Sequence, residues 1–340
     1  VSKLVEIKNL SVSFRTPHGR VHALRDINLD IPQNKILGIV GESGSGKSTV
    51  IWTVTRLLAN NAVIDSGEIL FSGRDILRLK ENQLSSIRGE KMSVVFQDPM
   101  TSQIPVMSYD RQMSDIQYRR QNLNRKEKRQ SAIEILKRVG ISDAEQRVEQ
   151  YPHQFSGGMR QRVSIAMALM MDPTLLFADE PTTALDVTME AQIIHLLREL
   201  KDSLQATIVL VSHNLGLIAE LCDEVAVMYA GEIVEKGSVQ QIFYNPAHPY
   251  TQALLECDPA RVLKRTRLLP IIPGDMPDLH EIAKGCEFSP RCKHALEQCY
   301  GETPREYFLS DGQTVRCHLY NDAVASSTAL LTATGPSSSG

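Results

Sequence analysis

The feature that most constrains this chain is a glycine-rich segment at residues 41–48, which reads Gly-Glu-Ser-Gly-Ser-Gly-Lys-Ser. An apolar run at 35–40 precedes it and an amphipathic run at 49–58 follows it. This order predicts a buried strand, a loop and a helix, which is the setting in which such a segment binds phosphate. Backbone N–H groups can converge on an anion there, next to the positive end of the helix. The segment therefore predicts a nucleoside triphosphate site.

Each residue type in the loop has a chemical use. Gly41, Gly44 and Gly46 let the backbone approach the β- and γ-phosphates without Cβ clashes. Lys47 supplies a positive charge, and the hydroxyl of Ser48 can ligate Mg²⁺. The predicted phosphate-binding residues are Gly41, Ser43, Gly44, Ser45, Gly46, Lys47, Ser48 and Thr49.

Charge and hydropathy argue against two classes of protein. The formal net charge is −3, so the chain has no basic excess with which to neutralise nucleic-acid phosphates. No apolar stretch approaches the roughly 20 residues that a membrane-spanning helix needs. Residues 4–14 alternate polar and apolar side chains, as a strand does and a signal peptide does not. We therefore expect a cytoplasmic protein, for which any membrane role depends on a partner.

The chain of 340 residues has room for two domains. A helix is predicted at 126–139, ended by Gly140, within a polar, basic stretch. A hairpin is predicted at 223–237. Apolar runs predict strands at 4–14, 27–31, 67–72, 92–97, 175–178 and 207–211. The predicted domains are a nucleotide-binding domain over 1–245 with a helical subdomain at about 98–172, a C-terminal domain over 246–322 and a disordered tail over 323–340.

A magnesium–nucleotide site needs an acid at the end of a buried strand. The run 175–178 is followed by Asp179, which can hold Mg²⁺, and by Glu180, which can accept a proton from an attacking water. Two acids after a strand are a common surface feature when taken alone. His213, just after the run 207–211, favours the catalytic interpretation because it ends the next strand along the chain.

Six motifs in one order resemble those of the nucleotide-binding subunit of an ABC transporter. They are the phosphate loop at 41–48, a glutamine loop with Gln97, a signature at Phe155-Ser156-Gly157-Gly158-Met159, an acidic strand with Asp179 and Glu180, an aspartate loop with Asp186 and a switch histidine, His213. The resemblance covers residues 4–245. It implies an α/β fold with a P-loop NTPase core, an antiparallel β subdomain and a helical subdomain, plus a small cysteine-containing C-terminal domain.

The resemblance also implies a role for the residues around the γ-phosphate of ATP. Glu180 and His213 are the implied catalytic residues, because His213 contacts the γ-phosphate and orients the attacking water. Gln97 senses Mg²⁺ and the γ-phosphate and passes that state to the helical subdomain. The implied magnesium ligands are Ser48, Gln97 and Asp179.

Further roles concern the adenine and a second cassette. By resemblance Phe14 stacks on adenine, and burial in the core is the alternative. Ser156, Gly157 and Gly158 open a predicted helix, so they form a second anion site. In the family two cassettes pair head to tail, and this signature covers the ATP of the partner. Asp186 belongs to the aspartate loop, which lies at that dimer contact by resemblance.

The chain after residue 245 resembles the oligopeptide and dipeptide importer branch, in its runs 245–255 and 272–277. The branch implies an ATPase that energises peptide import at the cytoplasmic face of the inner membrane. Its partners are two membrane permease subunits and, indirectly, an extracytoplasmic solute-binding protein. A second, different cassette is expected, with a homodimer as the alternative. Another solute such as nickel or glutathione stays open, and an ABC ATPase acting on nucleic acid is the rival that the charge disfavours.

Four of the six cysteines lie near the C-terminus: Cys286, Cys292, Cys299 and Cys317. In a reducing compartment such clustering suggests a metal rather than disulfides. The pattern lacks the C-x₂-C spacing that is common in zinc sites. The resemblance implies a [4Fe–4S] cluster, and zinc and no metal are the alternatives. We expect a structural role for it, in a loop region with little core, rather than electron transfer. The expected cofactors are thus ATP, Mg²⁺ and this cluster.

Overall fold

The structure, a computed structural model, describes residues 2–182, 187–204, 206–258, 270–309 and 312–321. Its strands are β1 Lys3–Thr16, β2 Gly19–Pro32, β3 Ile36–Val40, β4 Ala62–Phe71, β5 Arg74–Asp75, β6 Met92–Val95, β7 Leu175–Asp179, β8 Thr207–Val211, β9 Glu224–Tyr229, β10 Glu232–Ser238, β11 Glu306–Phe308 and β12 Thr314–Arg316. Its helices are α1 Lys47–Val54, α2 Glu81–Leu84, α3 Pro99–Ser102, α4 Tyr109–Ile116, α5 Arg125–Arg138, α6 Ala144–Arg147, α7 Gly157–Leu169, α8 Val187–Leu204, α9 Leu215–Leu221, α10 Val239–Tyr244 and α11 Pro249–Glu256.

The first sheet is antiparallel and has the strand order β2-β1-β4-β5. Its apolar residues alternate along β1, where Val5 and Ile7 are buried against the core. Strands β2 and β4 extend beyond the predicted runs 27–31 and 67–72, because main-chain pairing with β1 continues through polar residues. This sheet is the antiparallel β subdomain that the resemblance implies.

The second sheet has eight strands in the order β11-β12-β10-β9-β3-β8-β7-β6, with β6, β7, β8, β3 and β9 parallel. Every residue of β3, β7 and β8 is buried, as expected for parallel strands that are covered on both faces. Along β3, Ile36 and Val40 face one apolar cluster, and Leu37 and Ile39 face the other. The sheet therefore separates two cores.

Helices α3 to α7 fill the chain between β6 and β7. The observed α5 lies within one residue of the predicted helix 126–139, and Gly140 follows it with a φ of +77°. Helix α5 buries Ile133 and Leu136 in the same cluster as Tyr109 of α4. Among the described residues, no helix is long and apolar enough to cross a membrane.

The region after residue 245 is joined closely to the cassette. Strand β12 pairs with β10, so it extends the second sheet. The ring of Phe288 lies 5.3 Å from that of Tyr229 on β9 and 5.4 Å from that of Tyr250 on α11. A separate C-terminal domain over 246–322 therefore stays a prediction that the structure does not confirm. The tail predicted at 323–340 lies outside the described residues.

We expect the contact between Phe288 and the two tyrosines to contribute strongly to stability. Phe288 is 2% exposed, whereas Phe308 is 78% exposed. Phe288→Ala should lower the free energy of unfolding by about 3–5 kcal/mol because it leaves a cavity in the core. Phe308→Ala is the matched control and should change it by less than about 0.5 kcal/mol. Chemical denaturation measures both, and equal effects would contradict this packing.

Candidate functional site

The predicted phosphate loop lies between β3 and α1 and touches neighbouring strands. Gly41 has a φ of +152°, and a Cβ added to it would lie 2.1 Å from the carbonyl oxygen of Met228. Gly46 has a φ of +99°, and its Cβ would lie 2.6 Å from the carbonyl oxygen of Ala23. Gly44 also has a positive φ, and no atom lies within 4 Å of its added Cβ. The loop is therefore fixed at its two ends and open in its middle, where a phosphate can approach.

Lys47 lies across this loop. Its Nζ donates to the carbonyl oxygens of Gly41 and Glu42, at 2.9 Å each. Burial lowers the pKa of Lys47, and the nearby carboxylates of Glu180 and Asp179 oppose that shift. The ammonium is thus positioned to exchange carbonyl partners for phosphate oxygens.

Ser48 and Asp179, two of the predicted magnesium ligands, are in contact. The hydroxyl of Ser48 donates to Oδ1 of Asp179 at 2.9 Å, which joins the start of α1 to the end of β7. Burial raises the pKa of Asp179, and the hydrogen bond from Ser48 opposes the shift. One hydroxyl and one carboxylate fit a magnesium ion that takes its other ligands from phosphate and water. Gln97 contacts Glu180 instead, so its role as a ligand stays a prediction.

Glu180 lies between Gln97 and His213, the other two residues that are predicted to act at the γ-phosphate. Its Oε2 accepts from Nε2 of Gln97 at 2.9 Å, and its Oε1 lies 3.3 Å from Nδ1 of His213. The backbone φ of Glu180 is +45°, a strained value for a residue with a side chain. Its N–H donates to the carbonyl oxygen of Val211 at 2.9 Å, which ties the strained residue to β8. The carboxylate is therefore held in a defined place, where it can accept a proton from water.

The predicted signature forms the first turn of α7. Ser156 caps this helix, and its hydroxyl oxygen accepts the N–H of Met159 at 3.3 Å. Ser156 and Gly157 are exposed, whereas a Cβ on Gly158 would lie 2.0 Å from Cε of Met189. The exposed turn offers backbone N–H groups to an anion from outside, and its action on a partner's ATP stays a prediction.

Four other predicted residues have less definite surroundings. Phe14 is half-buried on β1 and packs against the core, so its predicted contact with adenine stays open. Ser43 is exposed in the loop, and Thr49 lies in the first turn of α1. Asp186 lies outside the described residues.

The structure adds two residues that sequence reasoning missed. The hydroxyl of Tyr250 accepts the backbone N–H of Glu42 at 2.9 Å. Arg291 donates to both carboxylate oxygens of Glu42, at 2.7 and 3.0 Å. No local pattern predicts these contacts, because Arg291 lies 249 residues from Glu42 along the chain. The C-terminal region thus reaches the phosphate loop.

Two of the four clustered cysteines accept a backbone N–H at sulfur: His294 donates to Cys292 at 3.3 Å, and Leu296 donates to Cys299 at 3.4 Å. Burial raises the pKa of both Cys286 and Cys317 to about 12. Within the described ranges, no three His, Cys, Asp or Glu side chains come together as a group that could hold a metal ion. The predicted [4Fe–4S] ligand set is therefore not supported as a preformed site.

Comparison with known proteins agrees with this fold. A family model described as ABC transporter matches residues 24–183, and one described as the C-terminal region of oligopeptide/dipeptide transporters matches residues 234–299. A dimeric ATP-binding cassette bound to ADP and Pi has a TM-score of 0.63 and 28% identity, and the match covers 69% of this chain and 98% of that chain. The fold and the site therefore define an ATP-binding cassette.

Curated relatives are similar over most of their length. A dipeptide transport ATP-binding protein of Lactococcus lactis is 47% identical, with 91% of this chain and 88% of the relative covered. An oligopeptide transport ATP-binding protein of Escherichia coli is 46% identical, with 90% of each chain covered. The Bacillus subtilis oligopeptide transport ATP-binding protein is 43% identical over 94% of this chain and 89% of its own. The chain belongs to the ABC transporter family, as an ATPase subunit of the oligopeptide/dipeptide group.

Replacing Glu180 by Gln should separate ATP binding from hydrolysis. The amide keeps the side-chain volume and a contact with Gln97, but it cannot take a proton from water. We expect ATP affinity within about threefold of the wild type and turnover at least about 100-fold lower. Glu306→Gln, on the exposed edge strand β11, is the matched control and should hydrolyse ATP normally. Normal turnover by Glu180→Gln would show that Glu180 is not the base.

Proposed function

We propose that this ATPase subunit powers the import of dipeptides and oligopeptides through a membrane permease. The observation that carries the proposal is the match of residues 234–299 to the C-terminal region of oligopeptide/dipeptide transporters. The named transport proteins that are 43–47% identical support the same solute class. Within the matched region, Arg291 contacts Glu42 of the phosphate loop, so this region lies against the ATP site.

The proposed reaction is attack of water on the γ-phosphate of ATP. Glu180 accepts the proton of that water, and His213, 3.3 Å away, orients it. Lys47 stabilises the charge that spreads over the transferred phosphoryl group. Ser48 and Asp179 would hold a magnesium ion, which would neutralise phosphate charge.

In this proposal two cassettes pair head to tail, and the second is a different chain. The exposed first turn of α7, with Ser156 and Gly157, then closes on the ATP of the partner. The dimeric cassette with a TM-score of 0.63 supports such pairing. The chain would lie peripherally at the cytoplasmic face of the inner membrane, without binding nucleic acid.

Contact with the permease would be made by the segment after Gln97. Met100, Ile104 and Val106 expose large apolar side chains there, which suits burial against another protein. The glutamine loop can then report nucleotide state to two permease subunits, which receive solute from an extracytoplasmic binding protein. The proposed chain of contacts runs from Glu180 through Gln97 to this apolar surface.

Uptake by cells that lack this chain tests the solute and the partners. Wild-type protein should restore uptake of radiolabelled dipeptides or tripeptides, and Glu180→Gln should not, because import depends on hydrolysis. Affinity purification from those membranes should recover two permease subunits and a second cassette. Restored uptake of nickel or glutathione but not of peptides would overturn the solute assignment. Recovery of one type of cassette would overturn the heterodimer.

We also propose that Cys286, Cys292, Cys299 and Cys317 hold a [4Fe–4S] cluster with a structural role. The donor chemistry supports this, because N–H···S hydrogen bonds such as that of His294 to Cys292, at 3.3 Å, stabilise thiolates. Among the described residues these side chains do not form a group that could hold a metal ion, so binding of the cluster would require them to rearrange. No step of ATP hydrolysis depends on this cluster.

Anaerobic purification tests the cluster directly. The chain should carry about four iron and four sulfide ions and absorb visible light. Cys292→Ser should lose most of this iron, whereas Cys222→Ser, which changes a half-buried cysteine beside Asp223, should keep it. A colourless wild-type protein without iron and sulfide would contradict the proposal. Zinc bound to the purified protein would contradict it as well and would identify a zinc site instead.

A further inference from the structure

The side chain of Arg291 forms a bidentate ion pair with Glu42, the second residue of the phosphate loop. Its Nη1 lies 2.7 Å from Oε2 of Glu42, and its Nη2 lies 3.0 Å from Oε1. The side chain of Arg291 is 5% exposed, and that of Glu42 is 27% exposed. A planar guanidinium meets a carboxylate in this two-bond geometry, which a lysine cannot reproduce.

The guanidinium group of Arg291 donates three further hydrogen bonds. Its Nε donates to the carbonyl oxygen of Pro273 at 2.8 Å, and its Nη2 donates to that of Ile272 at 3.3 Å. Its Nη1 also donates to the hydroxyl of Tyr229 at 3.2 Å. Because these partners hold the donors in place, Arg291 presents a rigid positive surface to the loop.

The backbone of Glu42 is held as well. Its N–H donates to the hydroxyl of Tyr250, and its carbonyl oxygen accepts from Nζ of Lys47, both at 2.9 Å. Tyr250 is fully buried on α11. The N–H of Glu42 is therefore committed to the C-terminal region rather than to phosphate, and the loop is anchored at its first turn.

The negative charge of Glu42 affects the electrostatics of the phosphate site. Its carboxylate belongs to the residue whose carbonyl oxygen accepts from Nζ of Lys47 at 2.9 Å, so its negative charge lies beside the phosphate-binding lysine. An uncompensated carboxylate there would also repel the phosphates of ATP, since poorly screened charges interact strongly at short range. Arg291 supplies the compensating charge and the loop geometry together.

We propose that Arg291 is a positioning residue for ATP, which neutralises Glu42 and holds the phosphate loop in its binding conformation. The C-terminal region then contributes to the nucleotide site of its own chain. This inference rests on ATP binding by the cassette and is independent of the transported solute.

A double-mutant cycle on the full-length chain tests the proposal, with the affinity for MgATP measured by titration calorimetry. Arg291→Met keeps the apolar stem and removes the charge, so it should weaken ATP binding about tenfold. Adding Glu42→Gln should restore affinity to within about threefold of the Glu42→Gln variant alone, because no charge is left to compensate. Arg291→Lys should recover part of the loss.

Arg316→Ala is the matched control. Arg316 pairs with Asp26 at 3.1 Å, so it joins the same C-terminal region to the cassette away from the loop. This variant should bind ATP as the wild type does, and melting curves check that every variant folds. Wild-type affinity in Arg291→Met would overturn the proposal. Losses of MgATP affinity that add in the double variant would also overturn it. Equal losses of affinity in Arg291→Lys and Arg291→Met would do the same.

Discussion

The close approach of the phosphate loop to its neighbouring strands is the constraint on which the rest of the site depends. Gly41 and Gly46 adopt positive φ values where the carbonyl oxygens of Met228 and Ala23 leave no room for a Cβ. Helix α1 begins directly after this contact and carries Ser48 to Asp179 at the end of β7. The backbone path of a few residues therefore decides where Lys47 and the predicted magnesium ligands lie.

The site also brings charged side chains together where they are partly buried, so that their charges influence one another strongly. Burial lowers the pKa of Lys47 and raises that of Asp179, and each opposes the shift of the other. Glu180 is fixed by contacts with Gln97 and His213 at a strained backbone angle. An arrangement of this kind binds a charged substrate with little reorganisation, which is how a phosphoryl-transfer site lowers its barrier.

Sequence patterns predicted the elements whose signals are local. Alternating or continuous apolar runs indicated the strands, and a polar helix ended by glycine indicated α5 almost to the residue. Strands β2 and β4 were predicted too short, because hydrogen-bonded pairing with β1 does not require apolar side chains. The [4Fe–4S] cluster predicted on the clustered cysteines is not supported, because no group of side chains among the described residues could hold a metal ion.

The sequence by itself determined the chemistry of the nucleotide site, because a phosphate loop, a strand-end acid pair and a histidine each have short motifs. Only the tertiary structure decided that the C-terminal region contacts the phosphate loop. Arg291 and Tyr250 meet Glu42 across more than 200 residues of chain, at distances of 2.7 and 2.9 Å. Contacts of that kind depend on sheet order and packing, and no local pattern in a single sequence records them.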